Sequence, residues 1–174
     1  VLAGRIDYAG DTDVFRVAVP AAGTLIVRSS GGTDTVGVLL DADGERLGLT
    51  VGTVVSLSLE PPLVGVSVAQ QAAMHELLRR AGSFALSLLA GDQDAVAQHF
   101  ARGVPPVAHW HGIEWREGRT GAPLLERALG WIECSLDSEL QTGDHTFFVG
   151  AVESVERGRD GLALVHVGGR YEAL

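Results

Sequence analysis

The side chains best suited to chemistry in this 174-residue chain are few and polar. Gly143-Asp144-His145 sets a carboxylate beside an imidazole next to a glycine that suits a turn. Asp144 there shapes the turn or orients the ring, and a neutral imidazole can hydrogen-bond a ligand. Thr50, Thr53 and Ser56 recur three residues apart on a run that contains Gly52. Hydroxyls and close backbone approach at small residues suit a phosphate or a polyol. The same Thr and Ser types also fit ordinary strand positions, and the residues alone leave both readings open.

Other constellations carry less. His99, His109 and His111 lie near Glu114 and Glu117, and His-x-His on a strand would put both rings on one face. No second pair at fixed spacing supports a metal, so none is expected. Cys134, the sole cysteine, reads as a small buried hydrophobe, since a nucleophile would need a histidine partner. Asp41-x-Asp43-Gly44 echoes a calcium loop without its later ligands, and a hairpin turn explains it. The chain has no Gly-x-Ser-x-Gly elbow, no G-x-G-x-x-G loop and no Walker motif.

The elements that must position these residues are mostly strands. Phe15 to Pro20 alternates apolar and polar, TLIVRSS follows the turn AAG, and VGVLL reads as a buried strand before the turn Asp41 to Glu45. LTVGTVVSLSL reads as one long β-rich run closed by Glu60-Pro61-Pro62, and LVGVSVA as another strand. QAAMHELLRRAG predicts a helix with Met74, Leu77, Leu78 and Ala81 on one face and Gly82 as its stop. FALSLLA is a strand. DQDAVAQHFARG predicts a second helix with Asp92 as N-cap and Gly103 as stop. A Trp- and His-bearing loop runs from Val104 to Gly121. Three strands finish the chain: ALGWIECSLDSEL, one starting near His145, and LALVHVGGRY, with turns at Gly143-Asp144 and Arg159-Asp160-Gly161. Strands interrupted by two helices predict a mainly β fold: an antiparallel barrel with helices packed outside, not a doubly wound sheet.

Composition narrows the function classes. Hydrophobic residues are 46% and charged residues 20%, as in soluble globular domains. The net charge of -9 disfavours nucleic acid and anionic membrane as partners. No apolar run reaches the roughly 18 residues of a membrane span. The first residues lack the basic and apolar regions of a signal peptide. With one cysteine, this leads us to expect a cytoplasmic protein without an intrachain disulfide.

Five blocks then occur in order. They are Gly48 to Pro62; Phe84-Ala85-Leu86-Ser87-Leu88-Leu89; Ala122-Pro123-Leu124-Leu125 with Trp131-Ile132-Glu133-Cys134; Gly143-Asp144-His145; and Gly169-Arg170-Tyr171. Together they resemble the flavin reductase-like family, the FMN-binding split barrels, over residues 46–174. The resemblance implies a Greek-key split barrel and an NAD(P)H-dependent flavin reductase. It would pass hydride from NADH or NADPH to FMN (or FAD). It further implies a homodimer and a partner monooxygenase that receives reduced flavin. His145 is implied to place the nicotinamide. Thr50, Val51, Thr53, Val54, Ser56, Ala69, Gln70, Gln71, Ser87, Asp144, Arg170 and Tyr171 are implied to hold the flavin. Trp110 and Trp115 would cover the flavin or a dimer seam.

The chain departs from the family where many members carry a Ser-x-Thr-type phosphate contact before the first helix. Residues 69–75 here read Ala-Gln-Gln-Ala-Ala-Met-His. Gln70, Gln71 and the free N–H groups of a helix start remain as donors. FMN versus FAD stays open. Residues 1–45 form a separate β-rich segment whose last strand fits the barrel equally well. Gly10 to Val17 and Ala22 to Leu25 resemble the β-sandwich module beside secreted bacterial peptidases (the pre-peptidase C-terminal type). Two other readings therefore stand: a flavin-binding protein without reductase turnover, and an extracellular β-sandwich binding module.

Overall fold

The structure is a computed structural model. It describes the backbone of residues 12–19, 23–30, 34–35, 37–40, 46–102 and 108–174, and the side chains of 46–102 and 108–174. The expected turns at 21–22 and 41–45, the loop at 31–33 and the Gly103 stop lie outside the described residues.

In chain order the elements are β1 (Thr12–Val19), β2 (Gly23–Ser30), β3 (Asp34–Thr35), β4 (Gly37–Leu40), β5 (Leu49–Val51), β6 (Val54–Leu59) and β7 (Pro62–Ala69). Then come α1 (Ala73–Ala81), β8 (Ser83–Leu88), α2 (Asp94–Ala101), β9 (Trp115–Glu117), β10 (Pro123–Leu125), β11 (Gly130–Thr142), β12 (His145–Arg157), β13 (Leu164–Val167) and β14 (Arg170–Ala173). β1 and β2 pair as a hairpin, Thr12 opposite Ser30 and Val19 opposite Gly23.

Seven strands form the main sheet in the order β5-β4-β8-β11-β12-β7-β6, and their pairings are antiparallel. Its two edge strands, β5 and β6, are consecutive in sequence and joined only by Gly52-Thr53. A two-residue link cannot span a flat seven-stranded sheet, whose neighbouring strands lie about 4.8 Å apart. The sheet must curl until its edges meet, which makes it the expected split barrel. β4 belongs to this sheet through β5 and β8. β3 pairs with β13 in a three-stranded sheet, β14-β13-β3.

The barrel core follows the pleat. Val64, Val66 and Val68 of β7 point inward at period two and meet Phe84, Leu86, Ile132, Cys134 and Phe148. Helix α1 closes one side with Met74, Leu77 and Leu78. Gly82 ends that helix in the left-handed region (φ 65°), its N–H donating to the Leu78 carbonyl. Full burial of each such side chain is worth about 1.5–3 kcal/mol. Among the described residues no helix is long and apolar enough to cross a membrane.

Four expectations need correction. The 49–59 run is two strands, broken at Gly52-Thr53 because its halves serve opposite edges of the sheet. LALVHVGGRY is a hairpin: Gly168 and Gly169 take φ of 57° and 81°, as a tight turn between twisted strands demands. The Val104 to Gly121 loop contains β9, paired with β10. The N-cap of α2 is Gln93, and Asp92 instead accepts from Arg127 and Arg159.

Candidate functional site

β7 and β12 run antiparallel so that Ala69 stands opposite His145. This joins the end of β7 to the turn at Gly143, which has φ 65°. Gln70 completes the joint. Its backbone N–H donates to Asp144 O at 3.0 Å, and its Nε2 donates to Gly143 O at 3.1 Å and His145 O at 3.3 Å. Gln70 therefore clamps the turn, and its amide is spent on protein carbonyls.

On that clamped turn, His145 Nδ1 lies 2.7 Å from Asp144 Oδ1. A carboxylate accepts only, so Nδ1 carries the proton and Nε2 is left to meet a ligand. The hydrogen bond from His145 holds the Asp144 carboxyl below its ordinary range. Asp144 is exposed and His145 half-buried, so the pair sits at an accessible edge.

The other expected flavin contacts divide. Thr50 donates its hydroxyl to Ala97 O of α2 at 2.7 Å, which ties β5 to that helix. Ser87 is fully buried and accepts from Leu125 N at 3.1 Å. Val51 and Val54 are core residues, 3% and 5% exposed, so only their backbone can face a ligand. Thr53 and Gln71 are exposed, and Ser56 and Ala69 partly exposed. Arg170 is exposed and pairs with Glu172 at 3.2 Å. Tyr171 packs beside His166 and against the cluster of Leu89, Ala97, Phe100, Leu125 and Leu164. Both lie on β14, in the smaller sheet rather than the one that carries His145. The structure thus gathers Ala69, Gln70, Asp144 and His145 in one cluster, and Thr50 and Tyr171 around α2.

The residues fit a phosphorylated flavin. Helix α1 has Ala72 as its N-cap with no side-chain cap; the Ala72 and His75 N–H groups bond to Ala69 O and Ala72 O, which leaves the N–H groups of Ala73 and Met74 for an anion. Thr53 and Gln71 are exposed and Ser56 partly exposed, so their side chains are open to a ligand.

Two of the candidate metal ligands, His99 and His109, have other partners. His99 Nε2 meets His109 O at 2.8 Å, and His109 Nδ1 accepts from Gly48 N at 3.3 Å. Among the described residues no three His, Cys, Asp or Glu side chains gather. Trp110 donates to Arg46 O, stands 5.8 Å from Trp115, and Arg46 lies over the Trp115 ring.

His75, Gln93, Glu133 and Thr146 are buried polar residues that the sequence motifs do not single out, and His75 and Glu133 stand out among them. His75 is 4% exposed, its Nε2 2.8 Å from Thr146 Oγ1 and its ring edge-on to Phe148. Its position three residues before Leu78 puts a polar group on the apolar face of α1, which is a readable signal. Glu133 is 3% exposed and accepts from Thr120 N and Oγ1, each at 2.8 Å. A carboxylate inside the apolar stretch Trp131 to Cys134 was the corresponding hint.

Comparison with known proteins gives one answer. The model of the family described as "Flavin reductase like domain" matches residues 28–174. A protein of Rhizobium meliloti (strain 1021) named "Probable flavin reductase" is 35% identical over 77% of this chain, which spans 43% of that relative's length. The reductase component of 4-hydroxyphenylacetate 3-monooxygenase of Thermus thermophilus is 41% identical, over 75% of this chain and 80% of its own. The solved NADH:FAD oxidoreductase of Streptomyces globisporus C-1027 superposes with a TM-score of 0.78 at 34% identity, covering 82% of this chain and 86% of its own.

Proposed function

This chain belongs to the flavin reductase like domain family, and we propose that it is an NAD(P)H-dependent reductase of FMN (or FAD). The observation that carries the reading is the family match over residues 28–174, which spans the whole barrel and the clamped Asp144–His145 turn. The nicotinamide gives up a hydride and the flavin accepts it, so the protein's work is orientation and exclusion of water.

Each residue then has a task. His145, its Nδ1–H held by Asp144, accepts a hydrogen bond from the nicotinamide carboxamide at Nε2. Asp144 fixes that tautomer, and Gln70 fixes the turn. The open start of α1, with Gln71, Thr53 and Ser56, binds the flavin's phosphate and polar chain. The backbone of Val51, Val54 and Ala69 lines the approach. Thr50 and Ser87 hold the scaffold, while Arg170 and Tyr171 border the α2 side. Trp110 and Trp115 form the cover there.

The Thermus relative's name supports delivery of reduced flavin to a monooxygenase component. We further propose a cytoplasmic homodimer. Residues 46–174 form the reductase domain, with β3 and β4 of the preceding segment built into it.

The test is direct. Purified protein is mixed with NADH or NADPH and FMN or FAD, and the nicotinamide absorbance is followed. Oxidation no faster than the uncatalysed rate with every pair ends the proposal. His145→Ala is expected to raise KM for the nicotinamide while flavin affinity holds. Unchanged kinetics would remove His145 from the site.

A further inference from the structure

We propose that His75 is a positioning residue for nicotinamide binding, acting through Thr146 on the turn that presents His145; this rests on the reductase reading. The two side chains are the buried part of a joint whose exposed part is the Gln70 clamp. Thr146 is 1% exposed and directly follows His145 in β12. Successive strand residues point to opposite faces, so Thr146 turns into the barrel while His145 turns outward. Fixing the first fixes the backbone that aims the second.

The hydrogen-bond roles follow from chemistry. His75 Nδ1 lies 3.3 Å from Glu76 Oε1, a carboxylate that only accepts. In the neutral ring Nε2 then accepts the Thr146 hydroxyl proton across 2.8 Å. Phe148, edge-on at 5.3 Å, holds the imidazole plane from a third side.

Packing alone does not call for this pair. A leucine against a valine would fill the same space, and replacing both partners of a buried hydrogen bond by apolar groups is close to neutral for stability. What the polar pair adds is direction. The tip of the β11–β12 hairpin is exposed along residues 137–144; its own ladder sets its register, Arg79 of α1 pairs with Glu139, and β7 and the segment after it anchor the tip to the rest of the sheet. That side supplies the Ala69–His145 pairing, three hydrogen bonds from Gln70, and the His75–Thr146 bond. Residues 69–75 also contain the start of α1, where the proposed flavin phosphate sits.

The experiment compares His75→Leu, Thr146→Val, the double variant and His75→Gln with wild type. It measures KM for NADH, KM for flavin, kcat and melting temperature, with a fluorescence titration of NADH binding that needs no turnover. Each single variant is expected to weaken NADH about fivefold, the size of one net hydrogen bond, with KM for flavin unchanged. The double variant should be no worse than either single one. His75→Gln, whose amide reaches the Nε2 position, should recover most of the loss. An unaltered NADH constant in Thr146→Val, which keeps the shape of threonine, overturns the inference. So does a parallel fall in kcat and both affinities, the mark of a general loss of folded enzyme. Wild type that binds NADH but reduces no flavin overturns the reductase reading instead, and the titration still judges His75. Wild type that binds no NADH overturns both.

Discussion

Gly48→Ala should destabilise the protein by an amount that can be worked from the packing around α2. A Cβ on residue 48 would lie 2.2 Å from Phe100 Cε1, 2.3 Å from Cδ1 and 3.1 Å from Cζ. Non-bonded carbons rest about 3.5–4.0 Å apart, so two contacts fall short by roughly 1.5 Å. Phe100 cannot swing clear: it is 1% exposed, with His99, His109 and Trp110 at centroid distances of 5.1, 5.7 and 5.3 Å. Overpacking a filled core costs about 1–3 kcal/mol, and a clash along the side of a ring belongs at the upper end. At about 2–4 °C per kcal/mol for a domain of this size, melting should fall by roughly 6–12 °C. Thermal unfolding followed by circular dichroism measures the shift, and urea unfolding measures the free energy. Phe100→Ala alone should cost about 3–5 kcal/mol, because it leaves a cavity. The double variant should cost less than the sum of the two, since the new methyl then enters vacant space. A Gly48→Ala protein within about 0.5 kcal/mol of wild type, or strict additivity, would refute the reasoning.

Two further outcomes follow from buried groups. Glu133→Ala strands the Thr120 N–H and hydroxyl, so unfolding free energy should drop by about 2–4 kcal/mol. Limited proteolysis should then cut near Gly118 to Ala122, and a loop as resistant as wild type would count against it. Burial, reinforced by Glu153 and Glu133, pushes the Cys134 thiol up to about 12. The folded state thus keeps the neutral thiol while the unfolded chain ionises near pH 9. This contribution is intact below about pH 9 and shrinks by about 1.4 kcal/mol per pH unit up to about 12. Cys134→Ala should flatten that alkaline slope in denaturant titrations, and an identical slope would show that another group sets it.

What could be read in advance was local. Helix α1 was legible because Met74, Leu77 and Leu78 recur at helical spacing and Gly82 ends them. The Asp144–His145 contact was legible because the partners are adjacent. The break at Gly52-Thr53 was not, since Val51 and Val54 continue a β pattern across it and only closure of the sheet separates them. β9 is three residues long, too short for any period to show. The clamp made by Gln70 was not legible, because its carbonyl partners stand 73 and 75 residues away. The bond of the Thr50 hydroxyl to Ala97 O was not legible either, its acceptor lying on a helix 47 residues on.

The β7–β12 joint also orders events in time. Hairpins such as β6–β7 and β11–β12 close within microseconds, because their strands are neighbours in the chain. Ala69 must find His145 across two helices and several strands, and such remote pairings put all-β topologies in the millisecond-to-second range. The turn that presents His145 is anchored only when this slow search ends. A refolding chain therefore gains its β-sheet signal first and its site afterwards, and recovery of activity lags behind recovery of structure.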